Sequence, residues 1–177
     1  MRNLIILFLL AGIVTGHAQV IQLDEARVTN ATKIITDGDS KFLVLEDYSG
    51  QFMKNPIKFM KENFDIHEFI GQSLDEPYDL YRVEFRNRKG SLVANFDDKG
   101  KLLSTSQRFK DIALPYSVAK ELVADYKGWK MTRNLYLASG KEDAIDKEVY
   151  RISMQNGKSK KNVKIIPDRP TRGLASN

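Results

Sequence analysis

Only two histidines occur in the 177-residue chain, His17 and His67. His67 lies in Asp65-Ile66-His67-Glu68-Phe69. An imidazole between two carboxylates has the residue types of a metal site or of general acid–base chemistry. The spacing argues against both. Read as a strand, the run sends Asp65 and His67 to one face and Glu68 to the other, and zinc sites recruit several His or Cys ligands. The chain has no Cys, which removes thiolate metal sites, cysteine nucleophiles and disulfides. A Ser–His–Asp triad would have to draw on His67, yet no Gly-x-Ser-x-Gly elbow is present. The phosphate-cradling Gly-x-Gly-x-x-Gly and Gly-x4-Gly-Lys-Ser/Thr patterns are absent too, as is the His-x-Gly-His motif of nucleotidyltransferases. The carboxylate pairs Asp37/Asp39 and Asp97-Asp98 sit beside Gly, where turn formation accounts for them. Asp37-Gly38-Asp39 also lacks the spacing and the terminal Glu of a calcium loop. The residues therefore predict no catalytic group, no cofactor and no metal.

Two segments carry charge and apolar runs that speak to location. Arg2 followed by Leu4 to Val14 is a positive residue before a short apolar run, and Gly16-His17-Ala18 places small residues at the −3 and −1 positions of a cleavage site. This predicts a signal peptide over residues 1–18 and a protein exported to the periplasm or the cell exterior. The run is short of the ~20 residues of a spanning helix, so no membrane anchor is expected. Net charge is +5, from 28 Lys and Arg against 23 Asp and Glu. The two signs are interspersed, which disfavours a dedicated nucleic-acid binder.

The elements that would position any functional group centre on a duplicated hairpin. Tyr81-Arg82-Val83-Glu84-Phe85 precedes the turn Asn87-Arg88-Lys89-Gly90, and Tyr150-Arg151-Ile152-Ser153-Met154 precedes Asn156-Gly157-Lys158. Both runs alternate apolar and polar residues, the period of a half-buried strand, and both turns suit a hairpin. Strands are expected at Val20–Leu23 and Lys41–Leu45, a helix from Asn55-Pro56 carrying Ile57, Met60 and Phe64, and a strand over Ile66–Ile70. Tyr81–Arg86, Ser91–Phe96 and Lys101–Phe109 form a meander. Leu114-Pro115 opens a second helix with Val118, Ala119, Leu122, Val123 and Tyr126 as its apolar stripe, stopped by Gly128. Trp129, Met131, Leu135 and Leu137 mark the next strand, with Trp129 plugging the core where helix meets strand. Ser139–Glu148 reads as a charged loop before the final hairpin, which Pro167 ends.

Corresponding residues support two repeats. Pro56 and Lys61-Glu62 map onto Pro115 and Lys120-Glu121 with a shift of 59, whereas Tyr81-Arg82 and Asn87 map onto Tyr150-Arg151 and Asn156 with a shift of 69. The Ser139–Glu148 loop supplies the difference. The expected organisation is α+β, with a single domain over 19–168. It divides into an N-terminal strand-rich extension (19–50), a first repeat (51–109) and a second (110–168), each one helix on an antiparallel meander, before a flexible tail at 169–177.

Over residues 51–168 the chain resembles the PepSY-like family of exported bacterial proteins, also described as β-lactamase-inhibitor-protein-like. The resemblance rests on the signal peptide, on Leu114-Pro115 before a short helix, on the Tyr-x-Val/Ile strands with their Gly turns, and on Phe96-Asp97-x-x-Gly100-Lys101-Leu102. It implies helices packed on an antiparallel sheet and a binding or inhibitory role instead of catalysis.

Alternation assigns Arg82, Glu84, Arg86, Arg151, Lys160 and Lys164 to the sheet face opposite the helices, with Tyr136 as an aromatic anchor on that polar side. The expected function is a non-enzymatic binding module, inhibitory or accessory to an envelope or secreted protein that docks on this face. Two other readings stay open: a structural envelope protein whose solvated lysines discourage edge pairing, and an enzyme of unrecognised type.

Overall fold

The computed structural model describes residues 31–36, 39–72 and 78–167. The expected Val20–Leu23 strand, the signal peptide and the tail lie outside them. The fold is α+β. Eight strands, β1 (Ala31–Thr36), β2 (Asp39–Val44), β3 (Leu80–Asn87), β4 (Gly90–Asp97), β5 (Leu102–Lys110), β6 (Lys130–Lys141), β7 (Lys147–Asn156) and β8 (Ser159–Ile165), form one sheet in chain order. Every neighbouring pair is antiparallel except β2–β3, which is parallel. A parallel pair needs a crossover. Here it contains a 3-10 turn at Glu46–Tyr48 and the short helices α1 (Ser49–Lys54), α2 (Pro56–Asn63) and α3 (Ile66–Gly71). The fourth helix, α4 (Tyr116–Asp125), lies between β5 and β6. None of the described helices is long and apolar enough to cross a membrane.

Local chemistry explains most boundaries. Asn55 caps α2 by accepting from the Lys58 N–H at 3.0 Å, with Pro56 in the first turn. The Asn87 carboxamide oxygen accepts from the N–H groups of Lys89 and Gly90, closing the β3–β4 turn, while its nitrogen donates to Ser49 Oγ at 2.8 Å and ties that turn to α1. Buried Asn134 joins the chain after β5 to β6. Its amide nitrogen donates to the Ile112 carbonyl at 2.8 Å, and its oxygen accepts from the Ile112 N–H at 3.2 Å.

Four expectations need correction. Ile66–Ile70 is helical, because the Asp65 carboxylate accepts from the His67 and Glu68 N–H groups and starts α3. Ile66 and Phe69 are the buried positions of this turn. Ser139–Glu148 is mostly hairpin: β6 runs to Lys141, β7 starts at Lys147, and a tight turn joins them. In β6 the inward residues are Asn134, Tyr136 and Ala138, not the odd-numbered leucines, and a register shift lies between Met131 and Arg133. In α4 only Val118 and Leu122 are buried, and Val123 is 71% exposed.

The core lies on the helix side of the sheet and is largely aromatic. Phe42 of β2 stacks on Phe85 of β3 at 5.0 Å between ring centroids, directly across the parallel pair. Phe64, the residue ending α2, reaches Phe42, Phe69, Phe85 and Phe96 at 5.2–6.2 Å. One side chain thus joins two helices to three strands. Replacing a core Phe by Ala costs about 3–5 kcal/mol. Phe64→Ala is expected near the lower end, about 3 kcal/mol, because Phe64 is only partly buried. Denaturant unfolding of the variant checks this, and a loss under about 1 kcal/mol would show that Phe64 does not hold the helices.

Candidate functional site

The face of the sheet away from the helices is open, and over β5–β8 its charge is one-sided. On β5 the buried residues Thr105, Gln107 and Phe109 alternate with Ser104, Ser106, Arg108 and Lys110 on the outer face. On β7, Tyr150, Ile152 and Met154 point inward, which leaves Val149, Arg151 and Ser153 outward. Strand register lines up Lys110, Leu135, Arg151 and Lys164 across β5, β6, β7 and β8. A second row runs Arg86, Ser91, Arg108, Leu137 and Val149. With strands about 4.8 Å apart, the basic groups from β3 to β8 extend over about 24 Å. The outward positions of β5–β8 carry no carboxylate among the described residues.

Of the residues expected on this face, Arg82, Glu84, Arg86, Arg151, Lys160 and Lys164 occupy it. Glu84, 17% exposed at its side chain, lies 3.9 Å from the Arg86 Nε, a contact of small energetic weight at a surface. Arg151 and Lys164 are directly opposite in register, whereas Arg82 and Arg86 lie four strands away from β7. Tyr136 is not on this face. It is 9% exposed and packs inward against Tyr150, its register partner, with ring centroids 5.0 Å apart. The antiparallel pairing forces this, since both members of a directly opposed pair share a face. Sequence reasoning missed Arg108 and Lys110. Alternation through Ser104, Ser106, Arg108 and Lys110 was the available signal.

The helix side holds a groove of about 1490 Å³. Met53, Pro56 and Ile57 line one wall, Ile112 and Pro115 another, and Phe109, Gln107, Tyr136 and Tyr150 form the floor. The β6–β7 turn closes one end. Lys61 on α2 bonds Asp143 in that turn at 2.6 Å, and Asp146 accepts from the Lys141 N–H at 2.9 Å. Gln107 is 5% exposed, and its carboxamide enters none of the hydrogen bonds of the described residues. The Thr105 hydroxyl beside it is buried without a partner. A buried polar group left unpaired costs about 1–3 kcal/mol.

His67 caps no site of this kind. It is exposed at the start of α3 and lies over Gly100, where an added Cβ would come within 2.9 Å of the imidazole. Asp65 is occupied as the helix cap. The Asp97 carboxylate accepts from the Lys99 and Lys101 N–H groups, which is turn chemistry. No three His, Asp or Glu among the described residues converge as a metal site.

Tyr150 donates its hydroxyl to Glu148 at 3.1 Å. Burial pushes the phenol well above its ordinary range, and the Glu148 charge and hydrogen bond push it further. The folded state therefore holds this proton more tightly than the unfolded chain. Its contribution to stability is full below about pH 10, the ordinary phenol value, and is lost as pH rises from there through the raised folded value. Unfolding free energy should fall with pH above about 10, and Tyr150→Phe should flatten that slope. An identical slope in the variant would contradict the assignment. In comparisons with known proteins, no family model, no curated protein and no solved structure matched this chain.

Proposed function

We propose that this protein is an exported, non-enzymatic binding module that docks an acidic surface of an envelope or secreted protein onto its open sheet face. One observation carries the reading: Arg108, Lys110 and Arg151 stand outward on β5 and β7, strands in the interior of the sheet, with no carboxylate on the outer face of β5–β8. Like charges brought together on a sheet face cost stability. Edge protection would explain lysines on β8, the edge strand, but not arginines on interior strands. A partner's carboxylates would offset that repulsion and steer association. Leu135 and Leu137 lie among the cations and supply apolar contact.

The tandem PepSY-like organisation belongs to the same proposal. In chain order α1–α3 precede the meander β3–β5, and α4 precedes the meander β6–β8. Tyr81, Val83 and Phe85 are buried as Tyr150, Ile152 and Met154 are. The β1–β2 hairpin then serves as an extension that adds to the edge of the first unit through β3. Arg2 and the apolar run after it support export.

The test is capture from envelope and secreted fractions of the host. Wild-type protein should retain a stoichiometric acidic partner that elutes as salt approaches 1 M, where screening reaches about 3 Å. Arg108→Glu, Arg151→Glu and Lys164→Glu combined should abolish capture with the thermal midpoint nearly unchanged. Equal capture by the triple variant would refute the docking face.

A further inference from the structure

The outer face of β5–β7 holds apolar side chains inside a frame of cations. On β6 the outward residues Leu135 and Leu137 follow one another, and on β7 the outward Val149 is the register partner of Leu137. All three are partly buried, and they form one apolar patch. Arg108 and Lys110 on β5 are the register partners of Leu137 and Leu135. Arg151 on β7 pairs with Leu135 from the other side. Arg133 lies two residues along β6 from Leu135, and Lys147 two residues along β7 from Val149. Strand geometry sets the first three cations one strand spacing, about 4.8 Å, from the patch and the last two about 7 Å from it.

The frame is charged, exposed and unsatisfied. Each of these Arg and Lys residues is exposed. None of them forms an ion pair with a carboxylate among the described residues. Arg and Lys are longer than Leu and Val, and their charged ends stay in water while their stems flank apolar surface. The apolar patch is therefore a recessed floor inside a taller cationic rim. A recess receives a protruding group. Burial in a lipid surface needs the reverse, apolar side chains that reach past the charges. An apolar floor inside a polar rim is also how a protein interface seats an anchor residue.

We propose that this face recognises an acidic segment of a partner protein that carries one bulky apolar residue with carboxylates on both sides; the proposal rests on the docking reading above and names what docks. The apolar residue seats over Leu135, Leu137 and Val149. Carboxylates one helical turn away, at about 5–6 Å, or two residues away in an extended chain, at about 7 Å, reach the rim. Arg108 and Lys110 take those on one side, and Arg151 takes those on the other. An uncharged segment leaves the rim unpaired, and an acidic segment without the apolar residue leaves the floor uncovered. Charge then steers the encounter, and the anchor sets the affinity.

The probe is N-acetyl-Glu-Glu-Phe-Glu-Glu-amide, titrated into the isotope-labelled protein at low salt. It should shift the backbone amides of Leu135, Leu137 and Val149. The same peptide with Ala for Phe keeps every charge and should bind about fivefold more weakly. The peptide with Gln for each Glu should lose binding. Leu137→Asn removes apolar floor at similar volume. It should lower the affinity of the Phe peptide to that of the Ala peptide and leave the Ala peptide unchanged. Equal affinity of the Phe and Ala peptides would overturn the anchor and leave docking by charge standing, since that reading falls only if the charge-reversed triple variant still captures its partner. Unshifted amides at these residues with the Phe peptide at millimolar concentration would overturn the proposal. So would phosphatidylglycerol vesicles binding through the same amides without competition from the Phe peptide, which would assign the face to a lipid surface.

Discussion

The contact of Phe64 with Phe42, Phe85, Phe69 and Phe96 is the constraint on which the rest of the structure depends. Phe64 ends α2 in an extended conformation, and Asp65 caps α3 immediately after it. The two helices therefore meet over one ring, and that ring rests on the stacked pair joining β2 to β3. A parallel strand pair has no tight turn to hold it and relies on its crossover to bring the strands together. The aromatic cluster performs that task here. It also fixes which face of the sheet is covered, and so which face stays open to solvent.

Once that choice is made, strand register distributes the remaining chemistry. Each strand from β3 to β8 sends alternate residues to opposite sides, so one side collects the aromatic core and the other collects Arg86, Arg108, Lys110, Arg151 and Lys164. The covered side is incomplete. Helices α1–α2 stand over one part of it, and between them and the β6–β7 turn the groove exposes the floor made by Gln107, Tyr136 and Tyr150. The Lys61–Asp143 contact bridges the groove's end and joins parts of the chain 82 residues apart. The protein thus presents two surfaces of different character: a broad basic face and a groove with apolar walls and an aromatic floor.

Much of this was legible in the sequence where physics is local. The two hairpins follow from alternation and from turn residues, and Asn87 and Gly157 occupy their turns as the pattern implied. Asn55-Pro56 marked α2 for the same reason. The α3 helix was misread because Ile66-His67-Glu68-Phe69-Ile70 is too short for its period to decide, and the Asp65 cap was the signal to weigh. Tyr136 was placed on the wrong face because Leu135 and Leu137 look like the apolar set. Pairing with Tyr150 overrides that pattern, and no local rule reports which residue lies opposite. The patch of Leu135, Leu137 and Val149 was not legible at all, since two strands must be in register before it exists. Arg108 and Lys110 were legible in principle through the alternation of β5.

The central claim is that the basic face is the surface of contact. Lysine acetylation footprinting of the protein, alone and in the complex captured from its host, addresses this directly. Lys110, Lys160 and Lys164 should be protected in the complex, whereas Lys54 and Lys58 at the groove should stay as reactive as in the isolated protein. Protection of Lys54 and Lys58 with Lys110 and Lys164 still fully reactive would contradict the account and move the partner to the helix side.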